Sequence, residues 1–549
     1  MVAALALWGR EDQKESQMNN PKGGCGRTAA MTRSRQLIRG IAATGMALVL
    51  SACGGGDSQV LGPKETSTTG GSNNSGWVAG VYKASANFKH LCEVPRTGRS
   101  AFTGITFPDK RGTRTNEKDF LRAWTNETYL WFDEVTDRSP AIDSQTPQDY
   151  FLLLKTNRTT NSGAPKDNFH FYEPTEDAEA WEAGISYDYG LRLKVYSTMP
   201  PRRYYIAYVE HNSPAAAAGV QRGDRILKID SYDLVTDESD AGLNALNEGL
   251  FPSVLGAAHN FELQAVDGTL KTVTLQSAQV ESSTVHQATV LETDTGSVGY
   301  MVFNSHVEKS QDEWVVAINQ FKQAGVSDLI LDLRYNGGGL LSIASLASYM
   351  IAGSNVQDKV FYEQIQNSKQ ARLEPFPFLD EGLYGLNKNV ALPTLNLNRV
   401  YILTTESTCS ASEAIINGLR GANVQVFLIG ATTCGKPYGF YPEDNCGTTY
   451  YTIQLKGANA KGFGEYSDGF IPSTSDNGET LVKGCRVTDD LEHALGDRRE
   501  ALLATALRYR DTGSCASAVT RSLQKTQGIS GSGELLVPET RKILVLDRP

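Results

Sequence analysis

The chain has 549 residues, 40% of them hydrophobic, which is length and apolar content for about three domains with sizeable cores. Its formal net charge is −10 and its lysines and arginines form no run, which argues against a nucleic-acid partner. Eight cysteines and seven histidines show no metal-ligand spacing, so no metal or other cofactor is expected.

In chain order, residues 1–53 read as an export leader. Met31 to Arg39 is basic and Gly40 to Leu50 is an apolar run too short to span a bilayer permanently. Met31 reads as the start, since the residues before it carry no export pattern. Leu50-Ser51-Ala52-Cys53 resembles the lipobox of bacterial lipoproteins, and Gly54 in place of aspartate gives no signal for inner-membrane retention. The resemblance implies lipid on Cys53 and a cell-envelope protein anchored in the outer membrane, facing the periplasm. Residues 54–78 are rich in Gly, Ser, Thr and Asn and have little to bury, as a flexible tether would. In 79–180, Phe120, Ala123, Trp124, Tyr129, Leu130 and Trp131 give Asn116 to Glu134 a helical pattern, joined by Tyr150 to Leu154.

Residues 181–282 are β-rich. Ile206 to Val209 reads as a strand, Ser213 to Val220 as a short helix closed by Gly219, and Arg222 to Asp230 as a turn into a second strand. Phe261 to Val266 and Leu270 to Gln276 supply the rest. This order resembles a PDZ domain. The resemblance implies that Tyr189-Gly190-Leu191 holds a peptide's terminal carboxylate, the peptide adding as a strand near a helix at Ala241 to Leu250.

In 283–515, the strand Asp328 to Arg334 runs into Tyr335-Asn336-Gly337-Gly338-Gly339 and then a helical pattern, Leu340 to Ala352. Successive glycines let backbone amides approach a ligand closely. No lysine and Ser/Thr pair follows them as a phosphate loop demands. Arg399 to Thr405 is the next strand, with a helix from Ser410 to Leu419; Val426 to Gly430 is another, followed by Gly435-Lys436. Taken alone, Ser410 is better explained as a helix cap. A serine at a helix start and a lysine delivered by the next strand also have the layout of a nucleophile and its base, provided burial pushes the lysine pKa well below the free value. In an open α/β sheet all three turns lie at the same end.

Asp332 to Gly339, Ser410-Ala411-Ser412-Glu413 and Gly435-Lys436, in that order, resemble the carboxy-terminal processing peptidases, or tail-specific proteases, over residues 116 to 515. The resemblance implies a multidomain α/β chain: an α/β protease core, a β-rich PDZ domain and a small helical N-terminal region. It implies a serine endopeptidase that cuts envelope proteins without a cofactor, its substrates bound by their C-termini. Ser410 is then the nucleophile, Lys436 the general base, and the amides of Gly337, Gly338 and Ala411 the oxyanion hole. Two departures stand out. A glutamine that orients the lysine in the family is replaced by Phe440, and where an acidic residue is common after the serine helix the chain reads Arg420 to Asn423. His306, after the strand Val298 to Phe303, is a histidine alternative as base, with a polar loop residue as the simpler reading. A competing class is a PDZ-bearing lipoprotein with an inactive core that scaffolds other proteins; the presence of both Ser410 and Lys436 favours the enzyme. The six cysteines after Cys53 suggest disulfides, with 15 possible pairings. Cys434 and Cys446 flank a turn-rich segment and are expected to pair, bracing Lys436. Residues 516–549 read as a tail, with a final strand within Leu535 to Leu546.

Overall fold

The computed structural model describes residues 77–515, except 143 and 161, together with 544–546. Cys53, the leader, nearly all of the tether and most of the tail lie outside the described residues.

The N-terminal region opens on α1 (Arg114–Thr128), started by a reciprocal cap between Thr113 and Asn116. Its apolar face, Phe120, Leu121 and Trp124, packs against Tyr150 and Phe151 of α2 (Pro147–Leu152), a helix with proline in its first turn. The region is stitched to the remainder of the chain: Phe171–Pro174 pairs antiparallel with Thr448–Tyr451, and Cys92 is bridged to Cys446.

The β-rich domain comprises β1 (Leu191–Ser197), β2 (Arg203–Val209), β3 (Arg225–Ile229), α3 (Asp240–Leu250), β4 (Ala258–Gln264) and β5 (Leu270–Gln276). Its sheet runs β5-β4-β3-β2-β1, so β1 is an edge strand with only β2 as neighbour. Between sheet and helix lies a core that includes Tyr204, Ile206, Ile226, Leu246 and Phe261.

The larger domain is built on a seven-stranded sheet. In chain order its relevant elements are β6 (Val285–Leu291), β7 (Val298–Phe303), α4 (Ser310–Gln323), β8 (Asp328–Asp332), β9 (Gly339–Leu340), α5 (Leu341–Ala352), β10 (Arg399–Thr404), α6 (Ala411–Gly421), β11 (Gln425–Gly430), β12 (Tyr438–Gly439), β13 (Ile471–Ser473), β14 (Leu481–Arg486) and α7 (Ala501–Thr512), with β15 (Leu544–Val545) far along the chain. The sheet order is β6-β7-β8-β10-β11-β14-β13, and every pair except β6/β7 is parallel. Strands β7 and β8 are buried throughout, which is why they read as continuous apolar runs rather than alternating ones. Helix α5 is apolar nearly all round because it is enclosed almost completely. Parallel registers Asp332↔Leu403 and Thr404↔Gly430 bring the turns after β8, β10 and β11 to one edge of the sheet. Among the described residues no helix is long and apolar enough to cross a membrane.

The disulfides differ from the expected bridge. Cys434 pairs with Cys409 and Cys446 with Cys92, while Cys485 pairs with Cys515. The reason is geometric. Cys446 lies at the tip of the hairpin Glu443–Asn445/Thr448–Tyr451, which faces the N-terminal region, whereas Cys434 lies in the turn after β11, which faces the start of α6.

Three histidines are held neutral, chiefly by burial: the rings of His170 and His286 are pushed down to about 4 and that of His306 to about 3. An unfolded chain protonates such rings near pH 6.5. Below that pH the unfolded state therefore binds more protons, and stability falls by up to about 1.4 kcal/mol per pH unit for each ring until the folded values are reached. The urea midpoint is expected to drop between pH 7 and pH 5; an unchanged midpoint would reject this account.

Candidate active site

Ser410 sits at the turn from β10 into α6 with φ 61° and ψ −110°, a conformation that side-chain-bearing residues rarely adopt. Holding it costs about 1–3 kcal/mol, which the surrounding bonds must offset. The residue is 1% exposed, yet its Oγ has no hydrogen-bond partner among the described residues. A buried, unpartnered hydroxyl on a strained turn is what a nucleophile awaiting a base and a substrate looks like.

What holds the turn is Glu413, one turn along α6 and fully buried. Its Oε2 accepts the amides of Ser410 at 2.9 Å and of Lys436 at 2.8 Å. Its Oε1 accepts the Gly435 amide at 2.9 Å and the Thr433 hydroxyl at 2.5 Å. A single oxygen thus ties the backbones of Ser410 and Lys436 together, less than two hydrogen-bond lengths apart. Burial raises the Glu413 pKa, and these four donors oppose that shift. The Cys409–Cys434 bridge adds a covalent tie between the residue before the serine and the residue two before the lysine. Cys409, Glu413 and Cys434 bring metal-ligating atoms together, but both sulfurs are consumed by the bridge and the carboxylate is already committed.

Lys436 is 1% exposed. Its Nζ lies 3.8 Å from the ring centre of Phe440 and 4.8 Å from that of Phe169. Phe440, which replaces the expected glutamine, therefore contacts the amine with an aromatic face rather than a hydrogen bond. Gly435 makes the approach possible: its φ is +84°, and a Cβ there would meet the Ser467 carbonyl oxygen at 2.3 Å.

The third component is the turn between β8 and β9. Gly338 and Gly339 have φ of +109° and +132°, and a Cβ on Gly339 would lie 2.2 Å from the His306 carbonyl oxygen. Asn336 organises it. Its Oδ1 accepts the Gly338 amide at 2.9 Å, its Nδ2 donates to the Phe303 carbonyl, and its own carbonyl accepts from the Cys409 amide and the Ser412 hydroxyl. The Gly338 amide is thus engaged, whereas the amides of Gly337 and Ala411 have no acceptor among the described residues. His306 is completely buried, and its Nδ1 lies 3.0 Å from Asn336 Oδ1 and 3.2 Å from the Gly338 carbonyl. Buried in the loop after β7, it makes no hydrogen bond to Ser410 among the described residues and braces the glycine turn.

Two features escape sequence reasoning. Glu413 was visible only as the fourth letter of a Ser-x-x-Glu capping pattern. Arg222, from the β-rich domain, has no local signal at all. It donates to the Tyr335 hydroxyl at 2.5 Å and to Asp489 at 2.8 Å, the residue beside it in space being the first of the glycine turn. Burial pushes Asp489 up, but Arg222 and Arg334 outweigh it and hold the carboxyl well below its usual range. Arg334 is also paired with Asp332 and Glu500, so the strand end that carries the turn is fixed by a buried charge network. At the proposed carboxylate loop, Tyr189 is buried, Gly190 has φ +78°, and Leu191 opens the edge strand β1. The Gly190 amide here donates to Asp188 Oδ1 at 2.5 Å.

Comparison with known proteins agrees with this arrangement. The model of peptidase family S41 matches residues 297–439 and that of the PDZ domain matches residues 205–242. A Staphylococcus epidermidis protein named for its likeness to the CtpA serine protease is 22% identical over 304 residues, which are 53% of this chain and 54% of that one. The carboxyl-terminal-processing protease of Synechocystis is 28% identical over 231 residues, 41% of this chain and 47% of that one. This chain spans about half the length of these relatives. A solved S41-type structure from Bacteroides fragilis shares the fold, with a TM-score of 0.56 and 22% identity over 72% of this chain and 97% of that one.

Glu413→Ala leaves three backbone amides buried without an acceptor, at about 1–3 kcal/mol each. Urea unfolding is expected to show a loss of at least about 3 kcal/mol, and Glu413→Gln, which keeps one oxygen, a smaller loss. Stability of Glu413→Ala within about 1 kcal/mol of the parent would show that the carboxylate does not hold the site.

Proposed function

We propose that this chain, a member of the carboxy-terminal processing peptidases with an S41 core and a PDZ domain, hydrolyses peptide bonds through an acyl-enzyme on Ser410. The observation that carries the reading is the shared Glu413 oxygen, which positions Ser410 and Lys436 as one unit beside a buried, unpartnered hydroxyl. Ser410 Oγ adds to the substrate carbonyl carbon while the Lys436 amine takes its proton. The negative charge moves to the carbonyl oxygen, where the Gly337 and Ala411 amides and the start of α6 favour it. Collapse breaks the C–N bond, and Lys436 returns the proton to the leaving amine. Water, deprotonated by the same lysine, then releases the acid and restores Ser410.

Substrates are proposed to be proteins presented by their C-termini. Edge strand β1 offers unpaired backbone for strand addition, with Tyr189-Gly190-Leu191 at its start and α3 sharing its core. Such an end has to displace Asp188 from the Gly190 amide. Because Arg222 of the same domain bonds Tyr335, binding there bears on the glycine turn. Lipid on Cys53 is proposed to hold the enzyme at the envelope, on the strength of the Leu-Ser-Ala-Cys order; mass analysis of the mature N-terminus tests it.

Ser410→Ala and Lys436→Ala are each expected to abolish cleavage of an unfolded protein by at least about 10³-fold, the double variant being no worse than either. A fluorophosphonate probe is expected to label Ser410 in the parent. Cleavage surviving either substitution overturns the dyad, and peptide binding with neither labelling nor cleavage favours the scaffold reading.

Blocking the substrate's terminal carboxylate as an amide is expected to slow cleavage of proteins while leaving short peptides that reach Ser410 unaided little affected. Equal rates for free and amidated ends would remove the PDZ domain from substrate choice.

A further inference from the structure

The site's own strand β9 is already paired. One edge of β9 is taken by the His306 segment, through Gly339↔His306 pairing and a 2.8 Å bond from the Leu340 amide to the His306 carbonyl. Its other edge carries β15, in parallel register, Gly339 opposite Leu544 and Leu340 opposite Val545. The next residue, Leu546, donates its amide to the Phe440 carbonyl at 3.0 Å. So an extended segment from far along the chain lies with the glycine turn's strand on one side and, on the other, the strand that leads from Lys436 through Phe440. Leu546 is 3% exposed and belongs to the main core cluster. Beside it lies a cavity of about 340 Å³ with Trp181, Val307, Leu340 and Pro442 in its walls.

We propose that the segment around Leu544–Leu546 is a built-in occupant of the peptide-binding cleft and competes with substrate for it. This rests on the peptidase reading above. A peptide cut at Ser410 has to lie extended past the turn that carries the Gly337 amide, and strand addition to the open edge of β9 is how a sheet takes such a peptide. The segment uses that edge, and its anchor, Phe440, covers the lysine amine. The last described residue before it, Cys515, is pinned to Cys485 on β14. Residues 516–543, 28 positions of chain, join it to Cys515. A tethered ligand acts at an effective concentration of about a millimolar, so even a contact with a dissociation constant of about 0.1 mM keeps the cleft about nine-tenths occupied.

The test uses the fluorescent peptide Lys542 to Pro549, Lys-Ile-Leu-Val-Leu-Asp-Arg-Pro, and a chain ending after Glu539. In the Ser410→Ala background the shortened chain is expected to bind the peptide about tenfold more tightly than the full chain. Leu546→Asp in the full chain, which replaces a buried apolar side chain by a charge without shortening, is expected to bind it as the shortened chain does. In the catalytic background, shortening is expected to speed fluorophosphonate labelling of Ser410 about tenfold, and the added peptide to reverse the gain. Equal peptide binding by full, shortened and Leu546→Asp chains overturns the proposal, as does peptide that binds without slowing labelling. Because the binding arm needs no turnover, absence of labelling in every chain would count against the peptidase reading alone.

Discussion

One buried carboxylate decides the geometry of the site. Desolvating a charge is unfavourable, and Glu413 is enclosed completely, so it persists only because each oxygen accepts two donors. Those donors come from two separate turns, one after β10 and one after β11, so the same bonds that make the charge tolerable also fix Ser410 relative to Lys436. The strained φ of Ser410 is held by this arrangement, together with the Cys409–Cys434 bridge immediately beside it. The Lys436 amine lies against aromatic rings, 3.8 Å from the centre of Phe440 and 4.8 Å from that of Phe169.

The glycine turn is held by a different chemistry. Asn336 uses both its amide side chain and its carbonyl, joining the turn to β7 through Phe303 and to the nucleophile through Cys409 and Ser412. His306 joins the turn as a ring held neutral by burial, its Nδ1 within bonding distance of Asn336 Oδ1 and the Gly338 carbonyl. Further out, Arg334 and Arg222 compete for Asp489, and Arg222 belongs to the PDZ domain. A shift of that domain would change what Tyr335 can bond, one residue from Asn336. Lys194, on edge strand β1, reaches Glu406 in the loop before Ser410 at 2.6 Å, a second and more exposed connection that contributes less.

Much of this was legible in the chain itself. The strands β7, β8, β10 and β11 are apolar runs bounded by turn residues, and the helices after them begin where the periodicity changes, so their placement needed only local signals. The edge position of β1 and the common end of the three turns followed from topology. Partners set by long separations were not legible. Arg222 meets Asp489 across 267 residues and Cys92 meets Cys446 across 354, and nothing in their neighbours encodes either contact. The expected Cys434–Cys446 bridge failed for that reason: nearness in sequence suggested a small loop, whereas Cys446, at the tip of its hairpin, meets Cys92 and Cys434, in the turn after β11, meets Cys409. Glu413 lay between these cases. Its capping pattern was readable, but that its far oxygen also serves Gly435 and Thr433 depends on β11 standing next to β10.

The same dependence on strand neighbours gives the molecule two places where an extended peptide fits. Strand β1 is free along one edge because its sheet ends there, and β9 has a second edge because its first is covered by His306. Strand β1 has no second neighbour among the described residues, whereas the second edge of β9 is taken by β15. They differ in what backs them. Strand β1 is backed by an apolar core shared with α3, which suits holding a chain end without regard to the bond beyond it. Strand β9 is backed by the glycine turn, where the positive φ of Gly338 and Gly339 excludes side chains and leaves the backbone bare to a substrate carbonyl. On the proposed function, a substrate at β1 would be chosen by its end and one at β9 by its ability to become a strand, so selection and cleavage would rest on two different sheets.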